Sequence, residues 1–363
     1  MMRTPYSEKE LDIIGHYIPR NEAELVSPVP KRNTPVTQKE NFRLRFEGKT
    51  PWWIPQSFDD ITLLRPRINA DVVACQLISD GGPRMHYDSM VNPGLFGIMW
   101  EYVPVAMGAT VHPGKPMIED IDRWEDLIHF PNLDELDWEG QAEMSRAYLN
   151  QDRLNVGCML CGLWERLISL MDVEGAAIAL VDEEQQDGVH SLLSAMCDFY
   201  DDYIGRLKKY FDIEAFYVHD DWGTQNAPFF SVDTFREMIL PYLKRLVNSC
   251  HSRGIYYIQH SCGNVEALVP CMIEAGVDMW DGQDINDLDM LAETYKDAPI
   301  IFMAASPQIP ENASENDLDE IAKTFVEKHK DHRIVLNAVN QRIKKLYPYI
   351  YKHSRLLYAN AEE

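Results

Sequence analysis

Ala215-Phe216-Tyr217-Val218 runs into His219-Asp220-Asp221, and Ile255-Tyr256-Tyr257-Ile258 runs into His260-Ser261-Cys262. Two more segments follow the same plan. They are Val277-Asp278-Met279-Trp280 into Asp281-Gly282-Gln283, and Pro299-Ile300-Ile301-Phe302-Met303 into Ala304-Ala305-Ser306. A fifth, Arg333-Ile334-Val335-Leu336 into Asn337, extends the series. Each is a short apolar run ending in polar residues, which fits a strand buried on both faces. Helical patterns lie between them, such as 232–252 and 318–328. Alternation at this spacing predicts parallel βαβ units, and its continuation favours a (β/α)8 barrel over an open doubly wound sheet. No glycine-rich dinucleotide or P-loop signature follows any of these strands.

Upstream the pattern is less regular. Residues 154–160 predict another strand, and 174–211 a long helical region. Residues 95–104 followed by 109–114 suggest a hairpin inserted between barrel elements. Pro51-Trp52-Trp53-Ile54-Pro55 reads as a short strand entry. Residues 1–50 read as an N-terminal extension to a barrel over 51–363. Within the extension, 27–35 is loop-like and Thr37 to Phe46 predicts a helix, with Glu40 completing a capping box.

The chain has 363 residues, 45% of them hydrophobic, enough for a large core. A formal net charge of −24 argues against nucleic acid and against an anionic membrane surface as partners. No apolar run approaches the roughly 20 residues that span a bilayer. Met1-Met2-Arg3-Thr4-Pro5 carries no apolar leader stretch, so the expected location is cytoplasmic. Seven cysteines, an odd number, argue against a disulfide framework. Cys197, Cys250 and Cys271 fall in helix-like segments and read as small buried hydrophobes.

His260 and Cys262 are two residues apart at a strand end. In extended chain such residues face the same side, which aims an imidazole and a thiolate at one point. His219, Asp220 and Asp221 end the preceding strand and would share the same mouth. Alternation sends Asp220 away from His219 and Asp221 if the strand continues that far. A catalytic zinc needs at least three protein ligands. His260 and Cys262 are two, and one of the trio could be the third. Another could donate a proton or orient His260. The alternative for the aspartates is capping a helix or pairing with arginine. Cys158-Met159-Leu160-Cys161 has no second pair, so buried thiols are expected, with Cys161 a reserve ligand. Glu165-Arg166 reads as an internal ion pair, with Glu165 a further site candidate. Gln225 and Gln283 could hydrogen-bond a substrate oxygen. Trp52, Trp53, Trp100, Trp222 and Trp280 either wall an apolar pocket or form core.

The order of 217–225, Ile239-Leu240-Pro241-Tyr242, 260–265, 274–278 and 281–283 resembles the uroporphyrinogen decarboxylase superfamily. Within it, the series is most similar to the corrinoid-dependent methyltransferases of veratrol/vanillate O-demethylase type. The resemblance spans about residues 37–350, with its motifs concentrated in 215–285. It implies a (β/α)8 barrel with its site at the C-terminal mouth. It also implies zinc held by His260 and Cys262, and a corrinoid (cobalamin) carried by a separate binding protein. The decarboxylases carry an arginine-rich N-terminal motif, and Pro51 to Asp60 contains no arginine. Thiol-methylating members have a third cysteine ligand near the last strand, where this chain reads Ile334-Val335-Leu336-Asn337-Ala338-Val339-Asn340. These departures point to an O-methyl donor such as an aromatic methyl ether. Decarboxylation of an acidic tetrapyrrole and a non-catalytic corrinoid- or metal-binding barrel are the alternatives. The sequence leaves room for a homodimer.

Overall fold

Seven strands lie side by side in the computed structural model, which describes residues 3–19, 27–57, 59–64, 91–103, 108–149, 152–337 and 341–359. They are β1 (Ile61–Leu63), β2 (Leu154–Met159), β3 (Ala215–His219), β4 (Tyr256–Ser261), β5 (Met279–Gly282), β6 (Ile301–Ala304) and β7 (Ile334–Leu336). All pair in parallel and in chain order. Beyond β7 the ladder continues: the Leu336 N–H donates to Pro55 O at 2.8 Å and the Ser57 N–H to Leu336 O at 2.9 Å. The last strand is thereby joined to the segment that leads into β1. The sheet curls into the expected (β/α)8 barrel, with 55–57 beside β7.

Side-chain alternation divides the strands between two cores. Ile61, Leu63, Leu154, Val156, Cys158, Ala215, Ile258, Met279, Ile301, Met303 and Val335 fill the barrel interior. Phe216, Val218, Tyr257, Trp280, Phe302 and Ile334 pack outward in the cluster shared with the helices. The inward row changes character along the strands. Ala215 leads to Tyr217 and His219, Ile258 to His260, and Met279 to Asp281. Polar groups therefore collect at the C-terminal end of the interior, with apolar layers beneath them.

The helix predicted at 37–46 forms as Gln38–Phe46, with Thr37 and Glu40 in a reciprocal capping box. Phe42, 1% exposed, belongs to the interior cluster. Phe46 stacks on Tyr256 with centroids 4.1 Å apart. Lys39 pairs with Glu214 at 2.6 Å, and Arg43 reaches the same carboxylate. The extension also forms an antiparallel pair, Ile13–His16 with Pro30–Arg32. The buried Arg355–Glu10 ion pair ties it to the last helix, Gln341–Tyr358.

The expected hairpin forms from Met99–Val103 and Gly108–Val111, and Val91–Pro93 adds a third antiparallel strand. The helical region expected over 174–211 comprises Gln186–Phe211 and the end of Leu163–Ala179, which is itself kinked at Asp172 (φ +62°). The 232–252 helix is also divided, into Val232–Met238 and Leu240–His251, with Pro241 in the first turn of the second. A proline there lacks only an N–H that a helix start leaves unbonded. Among the described residues, no helix is long and apolar enough to cross a membrane.

Candidate metal centre

Register assembles the site. His219 on β3 lies directly opposite His260 on β4, and His260 lies opposite Asp281 on β5. Two residues beyond each histidine come Asp221 and Cys262, facing the same side. One donor atom from each of His219, Asp221, His260 and Cys262 falls within 4.8 Å of the others. His260 Nε2 is 3.4 Å from Cys262 Sγ. Asp221 Oδ1 is 3.7 Å from His219 Nε2 and 3.9 Å from His260 Nε2. Zinc bonds of about 2.0–2.3 Å place tetrahedral ligand atoms roughly 3.3–3.8 Å apart. The donor types therefore fit zinc, and their spacing is close to a tetrahedral set, the widest pairs lying within 4.8 Å.

Each donor has a neighbour that fixes it. Glu165 Oε2 lies 3.1 Å from His219 Nδ1. Gln283 donates its amide N–H to Cys262 Sγ at 3.2 Å and accepts the Gly263 N–H at 2.9 Å. Asp221 Oδ1 accepts the Cys262 N–H at 2.7 Å. Asp281 Oδ2 sits 3.4 Å from His260 Nδ1 and accepts the Tyr217 hydroxyl at 2.8 Å. Gly263, at φ +85°, lets the two ligand loops touch: a Cβ there would lie 2.3 Å from Gly223 C.

The electrostatics call for positive charge. Burial opposes protonation of His219, yet Glu165 and Asp221 raise it to about 10. Burial likewise opposes His260, and Asp281 and Cys262 raise it to about 10. Burial pushes Glu165 up to about 7 against the pull of His219. Asp221, despite burial, is held below the usual carboxylate range by the two histidines. Carboxylates held this close to two imidazoles favour positive charge among them, which protons or a metal can supply.

His219 and Asp221 thus join His260 and Cys262, and Asp220 does not. Asp220 turns the other way and accepts the N–H groups of Glu165 at 2.8 Å and Trp164 at 3.2 Å, capping the helix Leu163–Ala179. Glu165 reaches His219, not the Arg166 expected as its partner; the Arg166 guanidinium lies over Phe96. Gln283 clasps the cysteine loop. Gln225 is exposed in the turn over 224–227. Trp222 is buried against Phe235, and Trp52, Trp53, Trp100 and Trp280 are also buried. The tryptophans are core. Cys161 is fully buried and outside the donor cluster. Cys75 lies outside the described residues. Tyr217 and Asp281 were not singled out from the sequence. The signal was there: Tyr217 precedes His219 by two, and Asp281 ends the strand after β4.

The sequence pattern of the uroporphyrinogen decarboxylase (URO-D) family matches residues 87–338, more than half of the chain. The chain belongs to that family. A methyltransferase from Methanosarcina mazei shares the fold, with TM-score 0.54 and 15% identity over 90% of this chain and 98% of that one. An endoglucanase from Clostridium longisporum gives TM-score 0.36 at 11% identity, over 89% of this chain and 99% of its own. An AP endonuclease from Brucella melitensis gives 0.30 at 10%, over 57% and 80%. These last two scores are too low to carry an argument. No curated protein matches the sequence.

Proposed function

We propose that this URO-D family member is a zinc-dependent methyltransferase. It would move a methyl group from an O-methyl donor, an aromatic methyl ether, to the Co(I) corrinoid of a partner protein. The observation that carries this reading is the four-residue donor cluster at the C-terminal mouth of the barrel. Imidazole and thiolate donors suit zinc, and this end of such barrels is where chemistry is done. The likeness in fold to a methyltransferase supports the same direction.

Bound there, zinc would supply a Lewis acid for the ether oxygen, worth several kcal/mol to a poor phenolate leaving group. The chain's own residues set the stage. A catalytic site keeps one position for substrate, so three donors suffice. His219, His260 and Cys262 are the proposed holders. Asp221, whose Oδ1 is already engaged by the Cys262 N–H, is the exchangeable fourth. Glu165 shares a proton with His219 Nδ1 and keeps that ring turned toward the cluster. A decarboxylase acting on an acidic tetrapyrrole fits less well, because Glu165, Asp221 and Asp281 crowd carboxylates at this mouth.

The test is metal analysis of the wild type beside His260→Ala and Cys262→Ala, purified under reducing conditions. The wild type should hold about one zinc, and either variant close to none. Unchanged metal in both variants overturns the site. Methyl transfer is then followed by the visible spectrum of a reduced corrinoid protein mixed with methoxylated aromatics. Metal uptake without transfer from any donor favours the non-catalytic barrel, and carbon dioxide release from a porphyrinogen favours the decarboxylase.

A further inference from the structure

His260 Nδ1 is buried and makes no hydrogen bond, yet a carboxylate oxygen, Asp281 Oδ2, stands 3.4 Å away. The same oxygen accepts the Tyr217 hydroxyl at 2.8 Å. Tyr217, His260 and Asp281 come from three adjacent strands, with Asp281 in register with His260. The Tyr217 ring lies nearly parallel to His260, centroids 6.0 Å apart at 21°. On its other side His260 turns Nε2 toward Cys262 and Asp221. A small shift of the imidazole toward Asp281 closes an N–H···O bond only if the proton is on Nδ1. Nε2 then carries the lone pair that a metal needs.

We propose that Tyr217 and Asp281 are positioning residues: Asp281 holds the His260 proton on Nδ1 and presents Nε2 to the metal, while Tyr217 fixes Asp281. This deepens the metal reading and rests on it. Tyr217 acts through Asp281, so their effects are not independent. Removing an outer partner of a metal-bound histidine typically weakens metal binding about 10–100-fold.

The experiment is zinc affinity by chelator competition for the wild type, Tyr217→Phe, Asp281→Asn and the double variant. Asp281→Asn is expected to weaken binding roughly 10–100-fold, and Tyr217→Phe by less. The double variant should match Asp281→Asn, whereas independent roles would multiply the losses. Nitrogen-15 NMR of the zinc-loaded protein should show the His260 proton on Nδ1 in the wild type. Unfolding curves of the metal-free variants identify any that lose binding by misfolding. Tyr217→Phe, the milder change, keeps the test open if Asp281→Asn fails to fold. Unaltered affinity in Asp281→Asn, multiplicative losses, or a proton on Nε2 overturns the proposal. A wild type that takes up no zinc overturns the functional reading instead.

Discussion

His219 and His260 face each other across adjacent parallel strands, their ring centroids 4.6 Å apart and 29° from coplanar. Two imidazoles raised to about 10 in such contact repel when both are protonated. One divalent ion between them would replace two protons and satisfy Asp221 as well. His219→Ala is therefore expected to weaken zinc binding by at least about tenfold, and Asp221→Ala, the exchangeable fourth, by less. Cys161→Ser should leave it unchanged. Chelator competition measures all three. Loss of zinc with Cys161→Ser alone would move the site toward Cys158 and Cys161.

Asp220 separates the capping role from the chemical one. It is buried, and both its oxygens accept backbone N–H groups in the first turn of Leu163–Ala179. A Cβ at Gly162 would come within 2.4 Å of it, so the helix start is built around this carboxylate. Asp220→Ala is expected to lower stability by about 1–2 kcal/mol, the usual worth of a cap. Zinc content should be retained. Urea unfolding and metal analysis of one sample decide the matter: lost metal at unchanged stability would return Asp220 to the donor set.

Much of this site was legible in the sequence because spacing of two is a local property. His260-Ser261-Cys262 and His219-Asp220-Asp221 each state which side chains share a face. The register between strands is not local, since it depends on how each intervening helix packs back. The meeting of Tyr217 with Asp281 and the sulfur contact of Gln283 emerged only once β3, β4 and β5 were aligned. Glu165 is at the site as the sequence allowed, but its partner, His219 rather than Arg166, is again set by how elements pack. Its helix starts just past β2, where the Gly162 N–H bonds His219 O and brings Glu165 beside the His219 ring. The tryptophans could have walled a pocket or formed core, and burial decided for core.

Asp60 carries a pH dependence independent of the metal. Burial raises its carboxyl from 3.8 to about 7, although the Gln56 N–H donates to it and opposes the shift. The folded state thus binds this proton more tightly than the unfolded state. The stability it confers is full below about pH 4 and is lost as pH rises through about 7. Asn in its place can still accept the Gln56 N–H. Between about pH 5 and pH 8 the wild type should lose on the order of 2–4 kcal/mol relative to Asp60→Asn. Urea titrations at the two pH values measure it. Parallel pH slopes in the two proteins would refute the assignment.

Phe42 tests whether the N-terminal extension is part of the barrel's folding unit. Its ring is buried in the interior cluster, and Phe46 beside it stacks on Tyr256 of β4. A helix from the extension thus closes the end of the barrel opposite the donor cluster. Removing a buried phenylalanine usually costs about 3–5 kcal/mol, through lost contacts and the cavity left behind. Phe42→Ala should show that loss within one cooperative unfolding transition, detected alike by tryptophan fluorescence and by far-ultraviolet circular dichroism. Two separate transitions, or a loss below about 1 kcal/mol, would mean that the barrel holds its interior without the extension.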